Sequence, residues 1–370
     1  MSGHAEISIW GAGCAGLSLA RYLSPHISSG EIDAPISLHG PLSPAGKNSH
    51  IWGFWQTDWL SEPARLSKQS WQSWQIITSQ GRVTQTSQTH PYHALDSAIW
   101  LQDCATRSKG KIVRRDDAPM PLGKGEDKGA ILDSRTPEMP VNSLLQHFMG
   151  IEIKTPHPVF DASVLTLMDF RCDQSRGIHF IYLLPFSDDT ALVESTLFSE
   201  QTEDKAFYMA AIERYLHEVY QLEAYQIMRE ESGCIPMNFL KPRDPSLLAI
   251  GTNGGCVRPS SGYAFAFIQK QAKWISQQLA SGHVLDKIQT PHRRIDSWLD
   301  RVFLSVLKTH PDAAPEIFLS MAKALTGDEL AKFMSGLAHL PIYVKLINAM
   351  PKKLFINQIL PAMRQEWQER

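Results

Sequence analysis

ISIWGAGCAGLSLARYL, residues 7–23, reads as a short apolar strand, a turn carrying Gly11, Gly13 and Gly16, and the first turns of a helix. Each glycine serves a separate purpose in such a turn. Gly11 allows the tight reversal, Gly13 lets the backbone approach a pyrophosphate, and Gly16 permits close packing of helix on strand. The helix amino end, with its unpaired N–H groups, then faces the phosphates. Gly11, Ala12, Gly13, Cys14, Ala15 and Gly16 are therefore the expected pyrophosphate-binding residues of a dinucleotide site. The bare spacing is a weak signal, and its position directly after a strand strengthens it. A glycine-rich strand-to-helix turn without a ligand is the alternative.

One part of this fingerprint is changed. The next strand normally ends, about 20 residues on, in an Asp or Glu that bonds the adenosine ribose. Here ISLHGPLSP (36–44) ends its strand in His39 and Gly40, while Glu31 and Asp33 precede it. His39 is the candidate ribose contact, with water or backbone as the alternative holder of the ribose.

A second stretch, SLLAIGTNGGCVRPSSGYAFAFIQKQAKWISQQLA (246–280), repeats the order strand, glycine loop, helix. Gly251, Gly254 and Gly255 follow the strand, and Ser260, Ser261 and Gly262 precede the helix. Their backbone amides are expected to converge on a ligand held between the two nucleotide-binding strands. Two glycine loops brought together from opposite ends of a chain suit a long cofactor such as FAD. An ordinary connection with no ligand is the other reading.

Between these loops lies DASVLTLMDFRCDQSRGIHFIYLLPFSDDTALVESTLF (161–198), where Glu194 sits within apolar, strand-like runs. A lone buried carboxyl has its charged form disfavoured, which makes Glu194 a candidate proton donor near neutral pH. Two other placements are open: the polar face of a half-exposed strand, or an ion pair with Arg171.

Composition bounds the rest. With 370 residues, 43% of them hydrophobic, the chain can bury a large core and form more than one domain. Its formal charge of −2 (36 basic against 38 acidic residues) gives no global field that would recruit nucleic acid. The five cysteines, at 14, 104, 172, 234 and 256, show no paired metal-ligand spacing and read as reduced thiols of a cytoplasmic protein. No basic leader and no apolar run of about 18 residues is present.

The expected fold class is α/β. A discontinuous Rossmann-like FAD-binding domain covers 1–50, 131–155 and 240–280, an inserted α+β substrate-binding domain covers 51–130 and 156–239, and a helical region covers 281–370. Within this layout GKGEDKG (123–129) is a loop, KGAILDSR (128–135) a strand ending in Asp133 that returns to the nucleotide sheet, and 203–222 a helix beginning near Ser199 and Thr202.

Taken in order, GAGCAGLSLA (11–20), NSHIWGFW (48–55), ILDSR (131–135), MDFR (168–171), FIYLLPFSDDTALVEST (180–196), GCIPMN (233–238) and GTNGGCVRPSSGYAFA (251–266) resemble the successive motifs of the flavin-dependent lycopene cyclases. The resemblance spans nearly the whole chain. It implies a carotenoid cyclase that converts the linear end groups of lycopene, or a related polyene, to ionone rings by protonation, with reduced FAD and no net redox change. NAD(P)H enters as the reductant of the flavin. Glu194 matches the first acid of the family's strand motif, the implied general acid, and Ser195 replaces the second.

Ring closure starts by protonating a weakly basic alkene, so the donor must be a neutral acid in a dry site and the resulting cation must be stabilised. Trp52, Phe54, Trp55, Phe180, Tyr182, Phe186 and Tyr263 are candidates for cation–π contacts. A polyene substrate lives in a bilayer, which implies peripheral attachment at the cytoplasmic face. LPIYVKLINAMPKKLFINQILPAMRQEW (340–367), with Lys345, Lys352, Lys353, Arg364 and Trp367, suits a helix lying in the headgroups or equally one packed on its own domain. The rival reading is an FAD-dependent monooxygenase using NAD(P)H on a hydrophobic substrate. Such enzymes normally place a Gly-Asp pair where this chain has Gly251 and Thr252.

Overall fold

A computed structural model describes residues 6–41, 49–116, 130–140 and 143–369; the expected loop at 123–129 lies outside them. The chain opens with β1 (Ile7–Trp10), α1 (Cys14–Ser28) and β2 (Ile36–His39). There follow β3 (Ile51–Trp55), α2 (Ser61–Arg65), β4 (Gln69–Trp71), β5 (Ser73–Thr78), β6 (Gly81–Thr86), β7 (Tyr92–Asp96), α3 (Ser97–Ser108) and β8 (Val113–Arg115). The middle of the chain holds β9 (Ile131–Asp133), β10 (Leu145–Lys154), β11 (Val164–Asp169), β12 (Ile178–Pro185), β13 (Thr190–Ser199), α4 (Lys205–Tyr220) and β14 (Gln226–Pro236). It closes with β15 (Leu248–Ala249), α5 (Phe265–Ala280), α6 (Arg294–Thr309), α7 (Ala314–Ala324), α8 (Gly327–Met334), α9 (Leu340–Ala349) and α10 (Lys352–Glu369).

The first sheet is parallel, in the order β15-β9-β1-β2-β8. All four residues of β1 are buried, as expected of the middle strand of a parallel sheet. Helix α1 packs on α3 and α5. Ile9, Leu17, Leu19, Leu38, Leu132 and Ile275 form its core.

The second sheet has the order β14-β10-β13-β12-β11-β5-β6. On one face, Ile151, Ile181, Val193 and Leu197 pack against Ile212 and Leu216 of α4. On the other, Trp74, Phe180, Leu184, Leu192 and Phe198 join apolar residues of α6 to α9 and of the small sheet β3-β7-β4. Alternation along β13 therefore sends even-numbered side chains toward the helical region and odd-numbered ones toward α4.

The expected nucleotide-domain segment 131–155 divides between the sheets: β9 lies beside β1, and β10 lies in the seven-stranded sheet between β13 and β14. The expected helix over 203–222 is α4, and the residue that caps it is Asp204, whose side chain accepts from the Phe207 N–H. Residues 294–369 are built of helices, as the sequence suggests.

Candidate active site

The turn after β1 has the tight reversal at Gly11 and the close helix packing at Gly16 that its glycines suggest. Gly11 has φ +102°, and a Cβ there would press on Ser134 Oγ. A Cβ on Gly16 would overlap the Gly11 carbonyl, so helix and turn touch backbone to backbone. Gly13 behaves differently: a Cβ there meets nothing within 4 Å. It is also the N-cap of α1 and offers no side-chain acceptor to the first-turn amides, and no acid stands in that turn. Open space before an uncapped helix amino end fits an anionic phosphate group. His39 ends β2 beside Trp10, with Nε2 3.0 Å from Ser37 Oγ.

The second glycine loop is arranged otherwise than expected. The Gly251 N–H goes to Gln271 Oε1, Gly254 N–H to the Ile250 and Gly251 carbonyls, Gly255 N–H to Thr252 O, and Gly262 N–H to Arg258 O. The last three amides close the loop on itself and the first ties it to α5, instead of pointing at a ligand. The positive φ values at Gly251, Gly255 and Gly262 serve that closure, and Gly251 lies against Ala15 at the start of α1, where a Cβ would collide. Gly262 lines the cavity described next, whereas Gly251, Gly254 and Gly255 do not. Arg258 locks the loop from below through a buried ion pair with Asp300 at 3.3 Å, and Ser260 Oγ donates to the same carboxylate at 2.7 Å.

A cavity of about 640 Å³ runs from Cys14, at the glycine turn after β1, past Thr252, Ser261 and Gly262 to Glu194, and on to α6, α9 and α10. Its walls are mostly apolar. The buried Ser261 Oγ has no hydrogen-bond partner among the described residues. Glu194 stands in the cavity wall, 8% exposed, in register with Gly150 of β10 and Tyr182 of β12. Thr196 Oγ1 donates to Glu194 Oε1 at 2.7 Å. Burial, with a further push from the negative charge of Glu231, raises the Glu194 carboxyl from 4.5 to about 8, against the opposing pull of the Thr196 hydroxyl. It is thus protonated at neutral pH. The ion pair with Arg171 does not form, because Arg171 binds Asp169 two residues earlier, at 2.7 and 3.0 Å.

Of the expected aromatic residues, Trp52, Trp55, Phe180, Tyr182 and Tyr263 line the cavity. Phe54 does not: it is buried behind the wall, stacked on His93. Phe186 packs near Trp71 and under the Lys68 ammonium. Two further groups escaped sequence reasoning. Tyr92 bridges Tyr182 and Tyr263, each hydroxyl 3.0 Å away, and burial holds all three phenols neutral. Gly53 makes this possible, since a side chain there would overlap the Tyr92 hydroxyl. Glu231 is the second group, and its signal was its place two residues ahead of the GCIPMN motif.

The family model described as lycopene cyclase protein matches residues 6–353. Curated relatives include a lycopene beta-cyclase of Pseudescherichia vulneris, 26% identical over 265 residues that cover 64% of this chain and 65% of that protein. A lycopene beta-cyclase of Pantoea ananas is 26% identical over 296 residues, covering 71% and 72%. The match to the lycopene beta-cyclase of a Paracoccus strain spans 58% of that protein, so the aligned part falls short of two thirds of some relatives' length. Among solved structures, a geranylgeranyl bacteriochlorophyll reductase-like protein of Thermoplasma acidophilum superimposes with a TM-score of 0.61 at 12% identity, over 97% of this chain and 99% of that one. A flavin-dependent brominase gives 0.61 at 12% identity, over 98% and 100%. At that identity the likeness concerns the fold alone.

Proposed function

The chain belongs to the lycopene cyclase family, and on that premise we propose that it closes the linear end group of lycopene, or a related polyene, into an ionone ring by proton transfer from Glu194. The observation that carries this reading is a neutral carboxyl in the wall of an apolar, aromatic-lined cavity, with no cation paired to it among the described residues. A carboxylate could not protonate an alkene, and a carboxyl in water would be ionised at neutral pH.

FAD fits the turn after β1. Gly11 to Gly16 and the first amides of α1 would hold its pyrophosphate, with His39 on the adenosine side, and Thr252, Ser261 and Gly262 wall the space between that cradle and Glu194. Reduced flavin supplies negative charge near a developing cation without net electron transfer, and NAD(P)H is the proposed source of its electrons. The chain's own residues do the rest. Trp52, Trp55, Phe180 and the tyrosine trio exclude water and present ring faces to the cation. The Thr196 hydroxyl orients the Glu194 carboxyl. Once its proton has passed to the alkene carbon, the Glu194 carboxylate is in place to accept the proton lost from the ring.

Attachment to the cytoplasmic face of a membrane is part of the proposal. Among the described residues no helix is long and apolar enough to cross a bilayer. Leu340, Ile356, Leu360 and Trp367 on α9 and α10 are 62–86% exposed, and Lys352 and Lys353 stand in the same helices. Ile347, Phe355, Ile356 and Ile359 of these helices also line the cavity, so its mouth adjoins this apolar face. The purified protein, given reduced FAD and lycopene in anionic vesicles, should yield a cyclic product and float with the vesicles. Unchanged lycopene would contradict the activity, and a protein that stays in solution would contradict the attachment.

A further inference from the structure

Glu231, Gly150, Glu194 and Tyr182 form one row across four neighbouring strands. Gly150 of β10 is registered with Glu231 on β14 and with Glu194 on β13, and Glu194 with Tyr182 on β12. Directly opposed residues of antiparallel strands share a face, so both carboxyl groups rise on the same side of the sheet with only a glycine between them. A methyl group at Gly150 would lie 3.3 Å from Glu194 Cβ and 3.4 Å from its Cγ. The Glu194 side chain therefore leans over bare backbone, in the direction of β14.

The two acids have different partners. Glu231 Oε2 accepts from the Ile51 N–H at 3.1 Å and from Arg229 Nη2 at 3.1 Å. Arg229 in turn reaches Asp96 at 3.0 Å, Ser49 Oγ at 2.9 Å and Glu152 at 3.6 Å. Glu194 has only the Thr196 hydroxyl among the hydrogen bonds described. Two carboxyl groups in one low-dielectric site do not ionise together readily. Burial lifts the Glu231 carboxyl too, from 4.5 to about 7, but the Arg229 guanidinium and the Ile51 amide hold it below Glu194, so Glu231 is the acid that ionises first and Glu194 the one that keeps its proton longer.

We propose that Glu231 is a positioning residue that keeps the proton on Glu194, its carboxylate across Gly150 being the fixed charge against which Glu194 must ionise. This rests on the reading of Glu194 as proton donor. In the step itself the Glu194 O–H bond breaks and the alkene π pair takes the proton as a new C–H bond. Later a ring C–H bond pair becomes the new double bond, and its proton returns to the Glu194 carboxylate. Glu231 changes neither its proton count nor its bonds.

The other groups facing Glu194 are neutral or already compensated. Tyr182 from β12, Tyr92 from β7 and Tyr263 from the loop before α5 are phenols, and Asp300 across the cavity is paired with Arg258. Beyond Glu231 stand Arg229, Asp96 and Glu152 in their ion-pair network, and His50, whose imidazole burial keeps below its usual range.

The test is a pH titration of the protonated-carboxyl infrared band on the full-length protein without substrate, with the Glu194 component assigned by its loss in Glu194→Gln. In Glu231→Gln the Glu194 midpoint should fall by about one pH unit, the usual size for removal of a near like charge. The high-pH limb of turnover should move with it, which a merely structural role would not cause. In Glu194→Gln the remaining Glu231 carboxyl should ionise below the wild-type Glu194 midpoint, since it must carry its charge before Glu194 does; ionisation at or above that midpoint overturns the proposal, and this arm decides the matter should Glu231→Gln fail to fold. An unchanged midpoint overturns the proposal. Because the titration needs no turnover, a midpoint shift in a protein that leaves lycopene unchanged would retain the coupling and discard the cyclase reading.

Discussion

Glu194 and Ser195, adjacent in sequence, face opposite sides of the seven-stranded sheet. Glu194 points into the cavity, and Ser195 Oγ lies 2.8 Å from His179 Nε2 on the α4 side, wholly buried. The position where the related motif carries its second acid is therefore turned away from the cavity, and a serine there leaves the cavity's own carboxyl untouched. Ser195→Ala should cost about 1–3 kcal/mol of stability by stranding His179, measured by urea unfolding, while turnover of the folded protein stays within a few-fold of wild type. A large loss of turnover in a fully folded Ser195→Ala protein would place the serine in the chemistry.

The turn glycines separate binding from folding. Gly13 faces open space, so Gly13→Val should fold and elute as the wild type does yet carry little or no FAD. Gly16 has the Gly11 carbonyl where its Cβ would be, so Gly16→Val should disrupt the turn and give little soluble protein. Flavin absorbance per folded chain is the measurement, and wild-type flavin content in Gly13→Val would remove the cofactor from this turn.

The raised pKa of Glu194 has a stability consequence of defined sign. The folded protein holds this proton up to about pH 8, whereas the unfolded chain releases it near 4.5. Between those values the unfolded state binds fewer protons, so the contribution is complete below pH 4.5 and is lost as the pH rises through 8. Glu194→Gln lacks this term. It should gain stability relative to wild type across that window, by an amount on the order of a few kcal/mol at pH 8. Parallel stability curves from pH 4 to 9 would show that the carboxyl is not buried in this way.

Cyclisation conserves the electron count. Turnover should require the flavin to be reduced once and should then proceed without further consumption of reductant. NAD(P)H oxidation or oxygen uptake in step with product would point to the rival monooxygenase reading.

Much of this was legible in sequence because it is local. The β1-turn-α1 unit, the return strand ending at Asp133 and helix α4 each depend on residues within one short window. What stayed hidden depends on pairing. β10 follows β9 closely in sequence, but its partners are β13 and β14, and nothing within LQHFMGIEIK announces that choice. Tyr92 meets Tyr182 and Tyr263, 90 and 171 residues away, and Glu231 meets Glu194 only through Gly150. The second glycine loop misled for a different reason. Sequence shows where glycines are, not whether their amides point outward or are used within the protein, as those of Gly254, Gly255 and Gly262 are by the loop itself and that of Gly251 by Gln271. Arg171 was available to Glu194 on paper, but Asp169, two residues away, holds it.

The central claim is that Glu194 gives the proton that starts the ring. Glu194→Gln keeps the size of the side chain and removes the acid, so the measurement is turnover of lycopene by this variant, reconstituted with reduced FAD in vesicles beside the wild type in heavy water. The account predicts normal flavin content, a fall in ring formation on the order of 10²–10⁴-fold, and wild-type product carrying deuterium at the ring position that received the proton. Near-normal turnover by the flavin-loaded variant, or wild-type product without deuterium, would contradict it.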